Sequence, residues 1–120
     1  MISFACKNIS LKDLVTCSFE LNKTDYSVFM FLMEHDGEFG VGDIAGIDGL
    51  ERSTVQKAMK NLVSKNLVSR RQVNFSGGGY QFYYSILDKS KIKDRINTLI
   101  DGWHEKAREQ IQKWDQYSSK

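Results

Sequence analysis

The sequence predicts a mainly helical fold that carries one small β-hairpin and ends in a long helix, and three observations predict it. Apolar residues recur at steps of three and four through most of the chain. Two runs break that period, Val68 to Phe75 and Tyr80 to Leu87, both rich in β-branched and aromatic residues and parted by Ser76, Gly77, Gly78 and Gly79. From Asp88 almost to the end, one apolar stripe (Ile92, Ile96, Leu99, Trp103, Ala107, Ile111 and Trp114) returns to helical spacing.

A chain of 120 residues with 41% hydrophobic content can bury one core and is too short for two ordinary domains. Its seven Phe, five Tyr and two Trp supply enough apolar area to offset chain entropy. No window approaches the roughly 18 apolar residues of a membrane span, and the amino terminus lacks a basic region followed by an apolar run and cleavage site. The expectation is a soluble, cytoplasmic protein without a membrane partner.

The elements follow in order. Ser10 caps a first helix in which Leu11, Leu14, Val15 and Phe19 share one face, with Cys17 at its edge. Asn22, with Asp25 three positions on, caps a second. That helix contains Val28 to Met33 without a polar break, the composition of a helix buried at the centre of a domain. His35, Asp36 and Gly37 end it. Val41 to Ile47 makes about two turns closed by Gly49. From Arg52 to Lys65 the chain is amphipathic: Val55, Ala58, Met59, Leu62 and Val63 gather on one side, and Ser53, Gln56, Lys57, Lys60, Asn61 and Ser64 on the other. Asn66 is a left-handed stop. In the second strand of the hairpin, Tyr80, Phe82, Tyr84 and Ile86 alternate with Gln81, Tyr83 and Ser85.

Charge is segregated. Residues 1–51 hold nine acids against three lysines, whereas Arg52 to Leu87 holds six basic residues (Arg52, Lys57, Lys60, Lys65, Arg70 and Arg71) and no acid, in a chain whose net charge is only +2. A basic patch backed by a counter-charged body attracts and orients a polyanion such as a phosphate backbone.

Short helix, glycine-containing turn, amphipathic helix and hairpin is the order of a winged helix-turn-helix domain. The run Asp43-Ile44-Ala45, then Ile47, then Glu51 through Val68 resembles the recognition segment of the MarR and TrmB groups of transcriptional regulators, and the likeness covers about residues 21–88. It implies a DNA-binding unit over residues 1–88 and a dimerisation helix over 89–120. Two departures matter. Glu51 stands where these families often place a serine cap, although an acid there suits the helix dipole. The wing tip, Ser76 to Gly79, has no arginine or lysine, which puts a minor-groove contact in doubt.

The resemblance implies a homodimer on double-stranded DNA with the helix at 52–65 in the major groove. Arg52, Ser53, Thr54, Gln56, Lys57, Lys60 and Asn61 can then reach bases or phosphates. Gln56 and Asn61 are the expected readers, because a carboxamide pairs with adenine N6 and N7. Arg70 and Arg71 point to opposite strand faces, so one of them meets DNA. The ordinary alternative, a solvated polar face, fits the set poorly, because such a face in a chain with fifteen acids would include some.

Dimerisation falls to Ile92, Ile96, Leu99, Trp103, Ile111 and Trp114; the first three can also pack partly on their own domain. A small-molecule effector, if one binds, belongs between the domain and the dimer helices, in a cleft that Tyr83, Tyr84 and Trp103 would line. No cofactor and no metal are expected, since His35 and His104 are isolated and no ligand pair is closely spaced. An enzyme is a distant alternative, with no phosphate loop, carboxylate pair or nucleophile constellation. Two other readings stand beside the regulator: a winged-helix protein-interaction module, and a thiol-responsive regulator in which Cys6 and Cys17 are oxidised, against the plain reading of two reduced, packed thiols.

Overall fold

The computed structural model describes residues 2–4 and 7–116 of the chain, with side chains from residue 9 onward except at 47, 48 and 115. Two short strands, β1 (Ile2–Phe4) and β2 (Lys7–Ile9), pair antiparallel with Ile2 opposite Ile9. No expectation of these strands arises from the sequence, because three residues are too few for a period to show. The expectation for Cys6 lies outside the described residues.

Helix α1 (Leu11–Phe19) begins in a complete capping box: Ser10 Oγ accepts from Asp13 N at 3.1 Å and Asp13 Oδ2 accepts from Ser10 N at 3.2 Å. It buries Val15 and Phe19, while Leu11, expected on the same face, is 62% exposed. Helix α2 (Lys23–Glu34) is capped the same way by Asn22 and Asp25, and it buries Val28, Phe29, Phe31 and Leu32 as its unbroken apolar run foretells. Helix α3 (Val41–Asp48) ends at Gly49, whose φ of 67° lies in the left-handed region.

Helix α4 (Arg52–Ser64) packs against α2 and α3 through Val55, Ala58, Met59 and Leu62. Val55, Met59 and Leu62 are completely excluded from solvent, and burial of such a side chain stabilises by roughly 1.5–3 kcal/mol. The wing follows as β3 (Val68–Asn74) and β4 (Tyr80–Ile86), paired from Val68 opposite Ile86 to Asn74 opposite Tyr80. Gly78 and Gly79 turn it at φ 96° and 84°, values that disfavour any residue with a Cβ. Phe39 and Tyr84 exchange two backbone hydrogen bonds, 2.9 and 2.8 Å, and so join the wing to the loop before α3.

Helix α5 (Lys89–Gln112) starts at an Asp88 cap and runs 24 residues, about 36 Å at 1.5 Å per residue. Its first turns rest on the core, and farther along Trp103 lies beside Ile9 and Leu14. Ile92 is 3% exposed and Ile96 packs on the core, whereas Leu99, Ile100, Trp103, Ile111 and Trp114 are exposed. The molecule is elongated in consequence, 77 by 24 by 23 Å. No helix among the described residues is long and apolar enough to cross a membrane.

Candidate nucleic-acid interface

Burying Val55, Ala58, Met59 and Leu62 turns the opposite flank of α4 to solvent. Arg52, Ser53, Gln56, Lys57 and Lys60 are exposed there and Thr54 is half-buried. Lys57 and Lys60 form no hydrogen bond or ion pair with any described residue, so both ammonium groups are available to an outside anion. The helix has no acid in its first turn, and Glu51, its N-cap, makes no side-chain cap bond.

Three residues of the basic segment have other duties. Asn61 is half-buried and its Nδ2 donates to Asp25 Oδ2 at 2.6 Å, which turns the carboxamide toward α2 rather than outward. Its position on the helix, about 60° from Ala58 at 100° per residue, put it at the margin of the buried face; that was the signal available. Arg71 makes a two-pronged ion pair with Glu38, Nε to Oε2 at 2.8 Å and Nη2 to Oε1 at 2.9 Å. The pair holds the Glu38 carboxyl below its usual pKa, chiefly through the hydrogen bond, and raises that of Arg71. Lys65 donates to the carbonyls of Phe19 and Glu20 at the end of α1.

Arg70 is exposed, and its guanidinium lies 4.4 Å from the centre of the Phe82 ring, which in turn meets Tyr80 edge to face at 5.3 Å. The wing thus presents Arg70 on an aromatic support. Its tip carries no cation, and Phe75 and Tyr80 flank it in the open.

Elsewhere, Trp103 lies in an apolar cleft of about 610 Å³ with Ile9, Leu14, Ile100, His104, Ala107, Arg108 and Ile111. The cleft expected between Tyr83, Tyr84 and Trp103 is not what forms: Tyr84 is buried in the core, Tyr83 lies beside Arg71, and the neighbours of Trp103 are α1 and the β2 end. Cys17 is exposed, not packed as the plain reading of the two thiols expects. No cluster of three or more His, Cys, Asp or Glu among the described residues could hold a metal ion.

The family model described as "Sugar-specific transcriptional regulator TrmB" matches residues 16–101. An uncharacterized protein of Methanocaldococcus jannaschii is 33% identical over 111 residues, 92% of this chain and 88% of its own. A solved structure described as a "possible transcriptional regulator" from Methanosarcina mazei superposes with a TM-score of 0.86 at 30% identity, covering 95% of this chain and 96% of that one. A mutant of S. aureus MepR, solved bound to an oligodeoxyribonucleotide, shares the fold at a TM-score of 0.53 and 19% identity, over 82% and 72% of the two chains.

Proposed function

Since the chain belongs to the TrmB family of transcriptional regulators, we propose that it binds specific duplex DNA sequences as a homodimer, with α4 of each protomer in the major groove. The observation that carries this reading is the exposed, acid-free flank of α4 with its two unpaired lysines, opposite a completely buried apolar flank. A groove-reading helix needs that division: one side fixed by packing, the other free to meet base edges and phosphates. The MepR likeness adds that the fold is one found with an oligodeoxyribonucleotide.

Roles follow from placement. Gln56 reads a base edge, Lys57 and Lys60 take phosphate or guanine, and Ser53, Thr54 and Arg52 position the helix start. Arg70 approaches the backbone from the wing, and Arg71, tied to Glu38, braces the wing instead. Residues 1–88 form the DNA-binding unit and 89–120 the pairing unit, in which Leu99, Trp103, Ile111 and Trp114 cover one another across the two-fold axis. Ile92 and Ile96 serve their own core.

The test is a gel-shift titration with duplex fragments from upstream of its own coding region, run over a salt series. A discrete complex at two protomers per site, with log affinity falling linearly in log salt, is expected. Binding without salt dependence, or no binding of any duplex, overturns the reading and favours a protein-interaction module.

A further inference from the structure

Two residues other than glycine adopt left-handed backbone among the described residues, Glu20 at φ 55° and Asn66 at φ 58°. Each follows a helix and closes it with a bond back to the last turn: Leu21 N donates to Thr16 O at 2.9 Å, and Leu67 N to Leu62 O at 3.1 Å. The two ends are stitched together by cations. Lys65 Nζ donates to Phe19 O and Glu20 O at 2.5 and 2.7 Å. Arg95, from α5, donates through Nη2 to Lys65 O and through Nη1 to Asn66 O, both at 2.9 Å. The same guanidinium stands 4.8 Å from the centre of the Phe19 ring.

Arg95 therefore touches the ends of both α1 and α4 while belonging to the helix whose later apolar residues, Leu99 and Trp103 among them, are exposed. Carbonyls at a helix C-terminus lack intrahelical partners and carry partial negative charge, so a cation there is favourable. A guanidinium does more than an ammonium would, because its planar fork fixes the direction of two acceptors at once. The left-handed residues add a reason for such a clamp, since a non-glycine residue persists there only where its surroundings determine it.

We propose that Arg95 is a positioning residue for α4, the link through which α5 sets how α4 is presented to DNA. The DNA half of this statement rests on the function proposed above; the mechanical half does not. Displacing α5 by pairing, or by occupation of the cleft at Trp103, pulls directly on the carboxyl end of the recognition helix.

The experiment compares wild type, Arg95→Gln and Arg95→Lys by amide hydrogen exchange and by titration of the same duplex fragments over a salt series, well below the unfolding temperature. In Arg95→Gln the amides of Asn66 and Leu67 are expected to exchange about ten-fold faster or more, those of α2 unchanged. Affinity falls several-fold with the salt slope intact, because every phosphate keeps its cation. Arg95→Lys, which keeps the charge without the fork, falls between the two, and it decides the matter if Arg95→Gln does not fold. Exchange at Asn66 and Leu67 equal to wild type in the folded variants overturns the proposal. So does a reduced salt slope with unchanged exchange, which would make Arg95 a phosphate ligand. If wild type binds no duplex, the proposed function fails and the exchange comparison alone decides the clamp.

Discussion

Asn61 of α4 and Asp25 of α2, 36 residues apart in the chain, share a 2.6 Å hydrogen bond at an edge of the core. Asp25 is 3% exposed, and the same Oδ2 accepts from Asn22 N at 3.3 Å in the capping box of α2. One carboxylate therefore both caps α2 and ties α4 to it, a polar point beside the buried apolar side chains of the two helices. Directional bonds of this kind set the rotation of one helix on another, which apolar packing alone leaves looser.

Replacement of Asn61 by alanine tests which of its two roles holds. The substitution leaves a buried carboxylate short of one donor, and the expected loss is about 1–3 kcal/mol of stability. Urea unfolding reads it as a lower midpoint at an unchanged slope. Base preference, measured on a panel of duplex variants, stays as it was. A wild-type midpoint with altered preference at one base would put Asn61 in the groove instead.

Lysines 57 and 60 are predicted to account for a measurable part of the salt dependence. Lys57→Ala and Lys60→Ala should each lower the slope of log affinity against log salt by about 0.9 for each phosphate that the lysine neutralises. Arg71→Ala should leave it nearly unchanged, because its guanidinium is engaged by Glu38. Equal slopes for all three variants would show that sequence position within the basic segment, not the pairing with Glu38, governs contact with DNA.

Acid should loosen the wing through Glu38. Its carboxyl titrates below the usual glutamate range when folded, so the stability contributed by the pair with Arg71 is fully present above that range and is lost as pH falls through the lowered folded value. Wing resonances, Val73 and Tyr83 among them, should therefore shift in the acid region, while Val55 and Leu62 in α4 do not. Glu38→Gln removes the acid transition at the wing; an identical transition in that variant would assign it to another group.

Elements with a long, clean period are legible in the sequence itself. The caps at Ser10 and Asn22, the buried run of α2, the two flanks of α4, the stop at Asn66 and the hairpin turn all follow from local chemistry that acts over a few residues. Net charge is a poorer guide. Lys65, Arg71 and Arg95 count as free cations in a sequence, yet their partners here are backbone carbonyls or a glutamate far along the chain, and carbonyls carry no residue-type signal. Of the six basic residues in the acid-free segment, Lys65 and Arg71 are committed to the fold, so the patch is smaller than composition suggests. Ile92 misleads in the opposite direction: it continues the exposed stripe in sequence but sits where α5 still touches the core.

That boundary along α5 separates two kinds of substitution, and Trp103 is the place to apply it. Trp103 is 43% exposed, Ile111 64% and Trp114 67%, against 3% for Ile92. Isolated exposed apolar residues are ordinary, but a row of them along α5 and the 3-10 turn after it, beside a cleft lined by Ile9 and Leu14, is a surface that a second chain would cover. If that chain is another copy, Trp103→Asp desolvates a charge at the pairing surface and yields a folded monomer by sedimentation. Ile92→Asp instead places the charge in the core and unfolds the protein. The monomer keeps α4 intact yet loses the linkage of two half-sites, so its affinity for a two-fold operator should drop by roughly 10²-fold or more. Its affinity for a single half-site should stay that of one wild-type protomer. A Trp103→Asp protein that sediments as wild type would place the dimer contact elsewhere, and one that unfolds would make Trp103 part of the protomer's own core.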